Sequence, residues 1–162
     1  MVPCASAAWN RPPGPRYSGA VTPSGHKDYS AVPLARKLGI REGSRVLVVG
    51  PPDGFSLSPL PTATELTTAA RGSLDVSLLF VRTMAQLRRR FPALMRALDP
   101  AGRLWVAWPK KASGLTTDLS FDLVQGFGLQ AGLVDNKSAS IDHAYQGVQF
   151  VYRLRDRPPS RR

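Results

Sequence analysis

The most constraining feature of this sequence is the predicted strand over residues 103–108, which is apolar on both of its faces. The side chains divide as Leu104, Val106 and Trp108 on one face and Trp105 and Ala107 on the other. A strand without alternating charged residues is covered on both faces, as parallel strands flanked by helices are. The chain is therefore predicted to be an α/β protein with a mostly parallel sheet flanked by helices.

Polar residues follow the end of this strand, where open α/β sheets bind ligands. In such sheets the ligand lies outside the carboxyl ends of the strands, at the crevice where the strand order reverses. The residues after this end include Lys110, Lys111, Ser113 and Gly114. A helix predicted to begin near Thr117 would add free N–H groups, which favour a phosphate or a carboxylate. The alternative is a solvated turn with two lysines.

Length and composition predict one ordinary domain. The chain has 162 residues, of which 43% are hydrophobic, and this is enough for one core. No apolar run reaches the roughly 20 residues that span a bilayer, and the first residues lack the apolar segment of a secretory signal. Cys4 is the single cysteine, which excludes an internal disulfide and a cysteine-based metal site. We expect a cytoplasmic protein with no metal and no membrane association.

The net charge of +11 is shared unevenly along the chain. Residues 1–30 contribute +2 and residues 153–162 contribute +4, which leaves +5 for the middle of the chain. This balance attracts anionic partners over long range without identifying them. Because residues 1–27 are poor in large aliphatic side chains, we predict a disordered tail there, a single domain over residues 28–155 and a basic tail over residues 156–162.

Hydrophobic periodicity predicts the remaining elements. Further strands are predicted at residues 45–49, 64–68 and 75–81, and helices are capped by Ser30, Thr83 and Thr117. The buried stripe of the last helix is predicted to be Leu119, Leu123, Val124 and Phe127. Pro92 removes a backbone hydrogen bond inside the middle helix, so we expect a kink or two short helices there. Alternating residues over 148–154 predict an antiparallel strand paired with residues 133–141.

A glycine turn follows the first predicted strand and forms a second candidate anion site. A strand, a glycine turn and a helix start can place the phosphates of a nucleotide on backbone N–H groups. Gly50, Asp53 and Gly54 fit this pattern, although Pro51 and Pro52 remove two of the N–H donors.

Arginines supply two further candidate groups. Arg82 follows the carboxyl end of the strand at residues 75–81, and residues 88–90 form an arginine cluster that is either an anion patch or a solvated helix face. We predict that residues 50–54, Arg82 and residues 110–114 together form a crevice for a small anionic ligand or a protein partner.

Five segments carry a family resemblance. They are PLARKLGI (33–40), RVLVVGPPDGF (45–55), GRLWVAWPKKASG (102–114), TTDL (116–119) and AGLVD (131–135). Over residues 31–158 the sequence resembles the small bacterial family known as the DUF3052 domain, and this resemblance implies no particular activity. The succession of elements also resembles the Rossmann-like class I S-adenosylmethionine-dependent methyltransferases, which implies a Rossmann-like sheet with a terminal hairpin.

Several residues depart from the methyltransferase pattern. Gly50 and Gly54 match the first and last glycines of the cofactor loop, but Pro52 stands in place of the middle one. Val48 replaces the usual acidic residue, and Glu65 is a poor match for the acid that holds the ribose. Part of the usual first half is also missing. The resemblance thus implies a scaffold that has lost its cofactor site, so we expect no cofactor and weak or no binding of S-adenosylmethionine.

Three functions compete on these observations. The first is a non-catalytic domain that binds an anionic ligand or a protein at the predicted crevice. The second is a divergent methyltransferase-like transferase that uses the same crevice. The third, a nucleic-acid-associated basic protein, ranks last because the sequence contains no RNA-binding motif with stacking aromatic residues.

Overall fold

The structure, a computed structural model, describes residues 32–160. Its α-helices are α1 (Leu34–Lys37), α2 (Met84–Ala97) and α3 (Phe121–Gln130). Its strands are β1 (Arg45–Val49), β2 (Glu65–Thr67), β3 (Leu74–Phe80), β4 (Leu98–Pro109), β5 (Val134–Ser140) and β6 (Tyr145–Val151). The predicted tail over residues 1–27 and the predicted cap Ser30 lie outside the described residues.

All six strands form one sheet in the order β2-β1-β3-β4-β6-β5. The first four strands of this order are parallel, and β6 pairs antiparallel with both β4 and β5. The α/β class and the terminal hairpin are therefore confirmed. Because the chain places β2 on one side of β1 and β3 on the other, the strand order reverses between the carboxyl ends of β1 and β3.

The two faces of the sheet are covered by different structures. Helices α2 and α3 pack on the face that carries Leu104, Val106 and Trp108, as the sequence predicts. The opposite face, with Trp105 and Ala107, is covered by the four-residue α1 and by the loop that includes Leu57. The crossover from β1 to β2 contains no helix.

Strand β4 begins five residues earlier than predicted, because a bulge accommodates the segment that the sequence assigned to a turn. β3 pairs with Leu98 at Leu74 and with Arg103 at Val76, so the register shifts between these two positions. A Cβ atom at Gly102 would lie 2.7 Å from the carbonyl oxygen of Leu74. Glycine at this position lets the two strands remain close through the bulge.

Helix α2 is continuous, and the expected division at Pro92 is wrong. Thr83 caps the helix as predicted, and its Oγ1 accepts a hydrogen bond of 3.2 Å from the N–H of Gln86. Leu87, Phe91 and Leu94 are buried on both sides of the proline. The buried stripe therefore holds both halves of the helix against the sheet despite the hydrogen bond lost at Pro92.

Helix α3 begins at Phe121, not near Thr117 as predicted. Ser120 caps it by accepting a hydrogen bond of 3.3 Å from the N–H of Leu123. Thr117 instead donates its hydroxyl to the carbonyl oxygen of Arg82 at 2.7 Å, so it belongs to the loop between β4 and α3. As a result Leu123 is 47% exposed and is not part of the predicted buried stripe.

Candidate functional site

The topological switch point places the glycine turn at the position where α/β sheets bind ligands. Gly50 follows β1 directly with φ of 65°, and Gly54 has φ of 76°. Both values lie in the left-handed region that side chains with a Cβ atom rarely adopt. The predicted turn is therefore present, at the carboxyl end of β1 and beside the end of β3.

Arg90 lies beside this turn and was predicted only as one member of an arginine cluster. A Cβ atom at Gly50 would lie 2.9 Å from Nη1 of Arg90 and 3.1 Å from the carbonyl oxygen of Phe80. Arg90 is half-buried, whereas Arg88 and Arg89 are exposed. The cluster therefore separates into one arginine at the switch point and two on the solvated face of α2.

Aromatic side chains fix the loop after the turn to the α1 side of the sheet. The ring of Phe55 meets that of Phe80 edge to face at a centroid distance of 4.8 Å, and Phe80 meets Tyr145 in the same way at 5.2 Å. Leu57, two residues further along the loop, is buried. The sequence showed no periodic signal for these contacts, because the loop has neither helical nor strand spacing.

Arg82 lies at the carboxyl end of β3, as predicted. Its Nε donates a hydrogen bond of 3.4 Å to the hydroxyl of Tyr145, and its backbone N–H donates to Oε1 of Gln86 at 2.8 Å. The residue is exposed, so its guanidinium can still approach a ligand at this edge.

Hydrogen bonds join the loop after β3 to the loop after β4. Asp118 accepts a hydrogen bond of 2.8 Å from the N–H of Met84, the first residue of α2. Thr83 accepts the hydrogen bond from the N–H of Gln86. Two of the first three N–H groups of α2 therefore already have partners within the protein.

Lys110 and Lys111 do not form a pair aimed at one ligand. Nζ of Lys110 donates hydrogen bonds of 2.7 Å to Oγ of Ser140 and to the carbonyl oxygen of Asp142, both at the end of the β5–β6 hairpin. Lys110 lines a cavity of about 400 Å³ with Trp108 and Ser140, whereas Lys111 lines a different cavity of about 450 Å³. Neither cavity includes residues 50–54.

The rest of the predicted crevice surrounds these lysines without completing an anion site. Ser113 donates its hydroxyl to the carbonyl oxygen of Lys110 at 2.6 Å, and Gly114 ends a short 3₁₀ turn with φ of 71°. Helix α3 begins at Phe121, four residues beyond the predicted start, and its cap occupies the N–H of Leu123. The predicted crevice therefore divides into two parts, residues 50–54 at the switch point and residues 110–114 after β4. The reason is that β4 ends one strand away from the switch point.

Acidic residues do not lie where a ribose would need them. Glu65 opens β2 at the amino edge of the sheet and pairs with Arg45, with 3.3 Å between its Oε1 and Nε of Arg45. The carboxyl end of β2 carries Thr67 instead. Asp53 is in the turn between the two glycines and is exposed.

Residues 32–160 contain neither a candidate membrane span nor a candidate metal cluster. None of their helices combines the length and the apolar character that a membrane span requires. Within the same range, histidine, cysteine and carboxylate side chains do not gather in any group of three that could hold a metal ion.

Comparisons with known proteins identify the fold. No family model matches the chain, so the resemblance to the DUF3052 domain has no such support, and no curated protein matches it either. Solved structures do match. A SAM-dependent methyltransferase from Aquifex aeolicus is 14% identical, covers 72% of this chain and 86% of its own, and has a TM-score of 0.53.

Two other solved structures have a similar level of likeness. The DhpI–SAH complex is 12% identical with a TM-score of 0.50 and covers 82% of this chain and 86% of its own. MtNAS in complex with MTA and tNA is 15% identical with a TM-score of 0.50 and covers 73% of this chain and 56% of its own. The chain therefore has the Rossmann-like fold of SAM-dependent methyltransferases.

Proposed function

We propose that this protein is a divergent methyltransferase-like protein that binds an adenosyl ligand, such as S-adenosylmethionine or S-adenosylhomocysteine, at the switch point between β1 and β3. The observation that carries this proposal is the position of the half-buried Arg90, whose Nη1 lies 2.9 Å from the place that a Cβ atom of Gly50 would occupy. It places a cation on the glycine turn of a fold shared with a protein solved with SAH.

The chemistry of the ligand suits this cation. The amino-acid end of an adenosyl ligand carries a carboxylate, and a guanidinium binds a carboxylate through charge-assisted hydrogen bonds. Because Gly50 has no side chain, the guanidinium of Arg90 can lie close to the turn, where backbone N–H groups could share the same ligand. Arg90 and the turn would therefore hold the carboxylate end of the ligand.

The adenosine end has weaker support, so we expect low affinity. The carboxyl end of β2 offers the hydroxyl of Thr67 where a carboxylate would hold both ribose hydroxyls. Pro51 and Pro52 also lack N–H donors in the turn. We expect a Kd on the order of 0.1–1 mM, which corresponds to roughly 4–5.5 kcal/mol of binding free energy.

Calorimetric titration of the full chain with S-adenosylhomocysteine tests this proposal. The substitution Arg90→Ala should weaken the binding of S-adenosylhomocysteine about 10-fold, which is the usual effect of losing a charge-assisted contact. Arg89→Ala is the matched control, because it removes the same charge from an exposed position of the same helix and should leave the Kd unchanged. The absence of heat and of thermal protection at about ten times the expected Kd would refute the proposal.

The five segments quoted above support a narrower assignment within this proposal, membership of the DUF3052 domain family. An alignment of homologues tests it. Members of the family should carry glycine at position 50 and arginine at position 90 together. The missing side chain at position 50 leaves the room that the arginine occupies at the switch point. Independent variation of the two positions would argue against a shared ligand site.

A further inference from the structure

A third cavity lies on the α1 face of the sheet, between the segment that leads into β1, the loop at residues 59–61 and Arg103 of β4. Its volume is about 630 Å³, within the roughly 300–1,000 Å³ of small-molecule sites. Its apolar surface comes mainly from Leu60 and from three prolines, Pro33, Pro59 and Pro61. We call this cavity the amino-edge groove.

Four cations line the amino-edge groove, and they come from distant parts of the sequence: Arg36, Arg41, Arg103 and Lys137. No carboxylate lines it. Asp75 is not among the lining residues, but its charge acts on Arg103. The walls of the groove therefore carry four cations and no carboxylate, and Asp75 compensates them in part.

Backbone carbonyl oxygens hold two of these cations in place. Nη1 of Arg103 donates a hydrogen bond of 3.3 Å to Gly39, and Nζ of Lys137 donates one of 2.8 Å to Lys37. Gly39 has φ of 79°, and a Cβ atom there would collide with the guanidinium of Arg103. Glycine at position 39 thus leaves room for the guanidinium of Arg103 beside the backbone.

The charge of Arg103 is not fully compensated. Burial and the neighbouring Arg41 lower the pKa of Arg103 below its usual value, and Asp75 raises it in part. Arg103 donates one hydrogen bond to Gly39 through Nη1, and its guanidinium is only partly buried on the wall of the groove. A bound anion would offset the repulsion between the two arginines.

We propose that the amino-edge groove binds a small organic phosphate. The four cations would hold the phosphate groups through charge-assisted hydrogen bonds, and the apolar surface formed by Leu60, Pro33 and Pro59 would contact the organic part. This site is separate from the switch point, because its lining includes neither the glycine turn at residues 50–54 nor Arg90.

Titration of the full chain with ADP, with pyrophosphate and with a short RNA oligonucleotide tests the proposal. The test variant is Arg36→Ala/Arg41→Ala, which removes two exposed side chains from the groove. The matched control is Arg88→Ala/Arg89→Ala, which removes the same charge from α2. We expect ADP to bind more tightly than pyrophosphate, and the test variant to weaken ADP binding at least about 10-fold while the control changes it less than about twofold.

The other outcomes would overturn the proposal. No ADP binding by the parent protein, or equal losses in both double variants, would mean that the groove is a solvated surface with a non-specific field. Equal affinity for ADP and for pyrophosphate would show that the organic part of the ligand contributes nothing to binding. Tighter binding of RNA than of ADP, lost in the test variant, would assign the groove to nucleic acid instead. Loss of S-adenosylhomocysteine binding through Arg90→Ala is a separate result and bears on the switch point alone.

Discussion

The carboxyl and amino edges of the sheet use their positive charges differently. At the carboxyl edge, Lys110 is tied to the β5–β6 hairpin by two hydrogen bonds, and Arg82 contacts Tyr145. At the amino edge, Arg36 and Arg41 are exposed on the wall of a groove that no carboxylate lines. The first edge uses Lys110 to join secondary-structure elements, whereas the second edge combines two bonded cations, Arg103 and Lys137, with two that face solvent, Arg36 and Arg41.

This difference shows that the number of basic residues near a strand end does not identify a site. Lys110 and Lys111 are adjacent in sequence, yet Lys110 is bonded to the β5–β6 hairpin and Lys111 is exposed in an adjoining cavity that shares Trp108 with the first. The four cations of the amino-edge groove are separated by up to a hundred residues and nevertheless line one cavity. Measuring both the stability and the ligand binding of each variant can therefore distinguish cations that support the fold from cations that are available to bind a ligand.

The largest effect is expected from Trp105, which fixes the wall of the amino-edge groove. Its buried indole donates a hydrogen bond of 3.0 Å to the carbonyl oxygen of Leu38, at the end of α1. Trp105→Phe leaves that carbonyl oxygen without its donor, so the free energy of unfolding should fall by about 1–3 kcal/mol beyond the loss of ring volume. Urea denaturation measures this change.

Trp108→Phe is the matched control for Trp105→Phe. Trp108 is equally buried but lies on the opposite face, against α3. The same loss of ring volume there should cost less and should leave ADP binding in the groove unchanged. If the two variants lose equal stability and equal ADP affinity, α1 is not held by the indole.

An intermediate effect is expected at the carboxyl edge. Lys110→Met keeps the length of the side chain and removes both hydrogen bonds to the hairpin, so it should lower the free energy of unfolding by about 1 kcal/mol. Lys111→Met, at an exposed position, should change it by less than about 0.5 kcal/mol. Thermal unfolding of both variants, without any ligand, measures the difference.

Equal stability of these two variants would contradict the comparison. It would show that Lys110 contributes as little as an exposed lysine, which is what the sequence alone led us to expect. In that case the ammonium groups of Lys110 and Lys111 would both be available to the anion site predicted at residues 110–114.

The sequence predicted the buried core of the sheet because local pattern determines it. Leu104 and Val106 face α2 and α3, and Trp105 faces α1, since neighbouring side chains on any strand point to opposite faces. The cap at Thr83 is equally local, because its partner Gln86 lies three residues away. Such features depend on spacing along the chain and on little else.

The positions of the candidate site residues depend on contacts between distant parts of the chain, and the spacing of residues along the sequence does not encode such contacts. Thr117 was predicted to cap a helix, but it bonds to Arg82, which is 35 residues earlier in the chain. The position of α3 and the exposure of Leu123 follow from that one long-range contact. Arg90 could be distinguished from Arg89 only when the position of Gly50 relative to α2 was known.

The smallest expected effect tests whether the cations of the amino-edge groove repel one another. Arg41 is exposed, and its charge lowers the pKa of the partly buried Arg103. Removing it in Arg41→Ala should therefore relieve repulsion in the folded state and raise the free energy of unfolding slightly, by about 0.3 kcal/mol or less. Chemical denaturation at low ionic strength measures the change, and about 1 M salt should abolish it, since the Debye length falls to roughly 3 Å. Arg89→Ala controls for the loss of one charge elsewhere. A decrease in stability for Arg41→Ala would mean that Arg41 has a favourable partner within the fold, and both edges of the sheet would then use their cations in the same way.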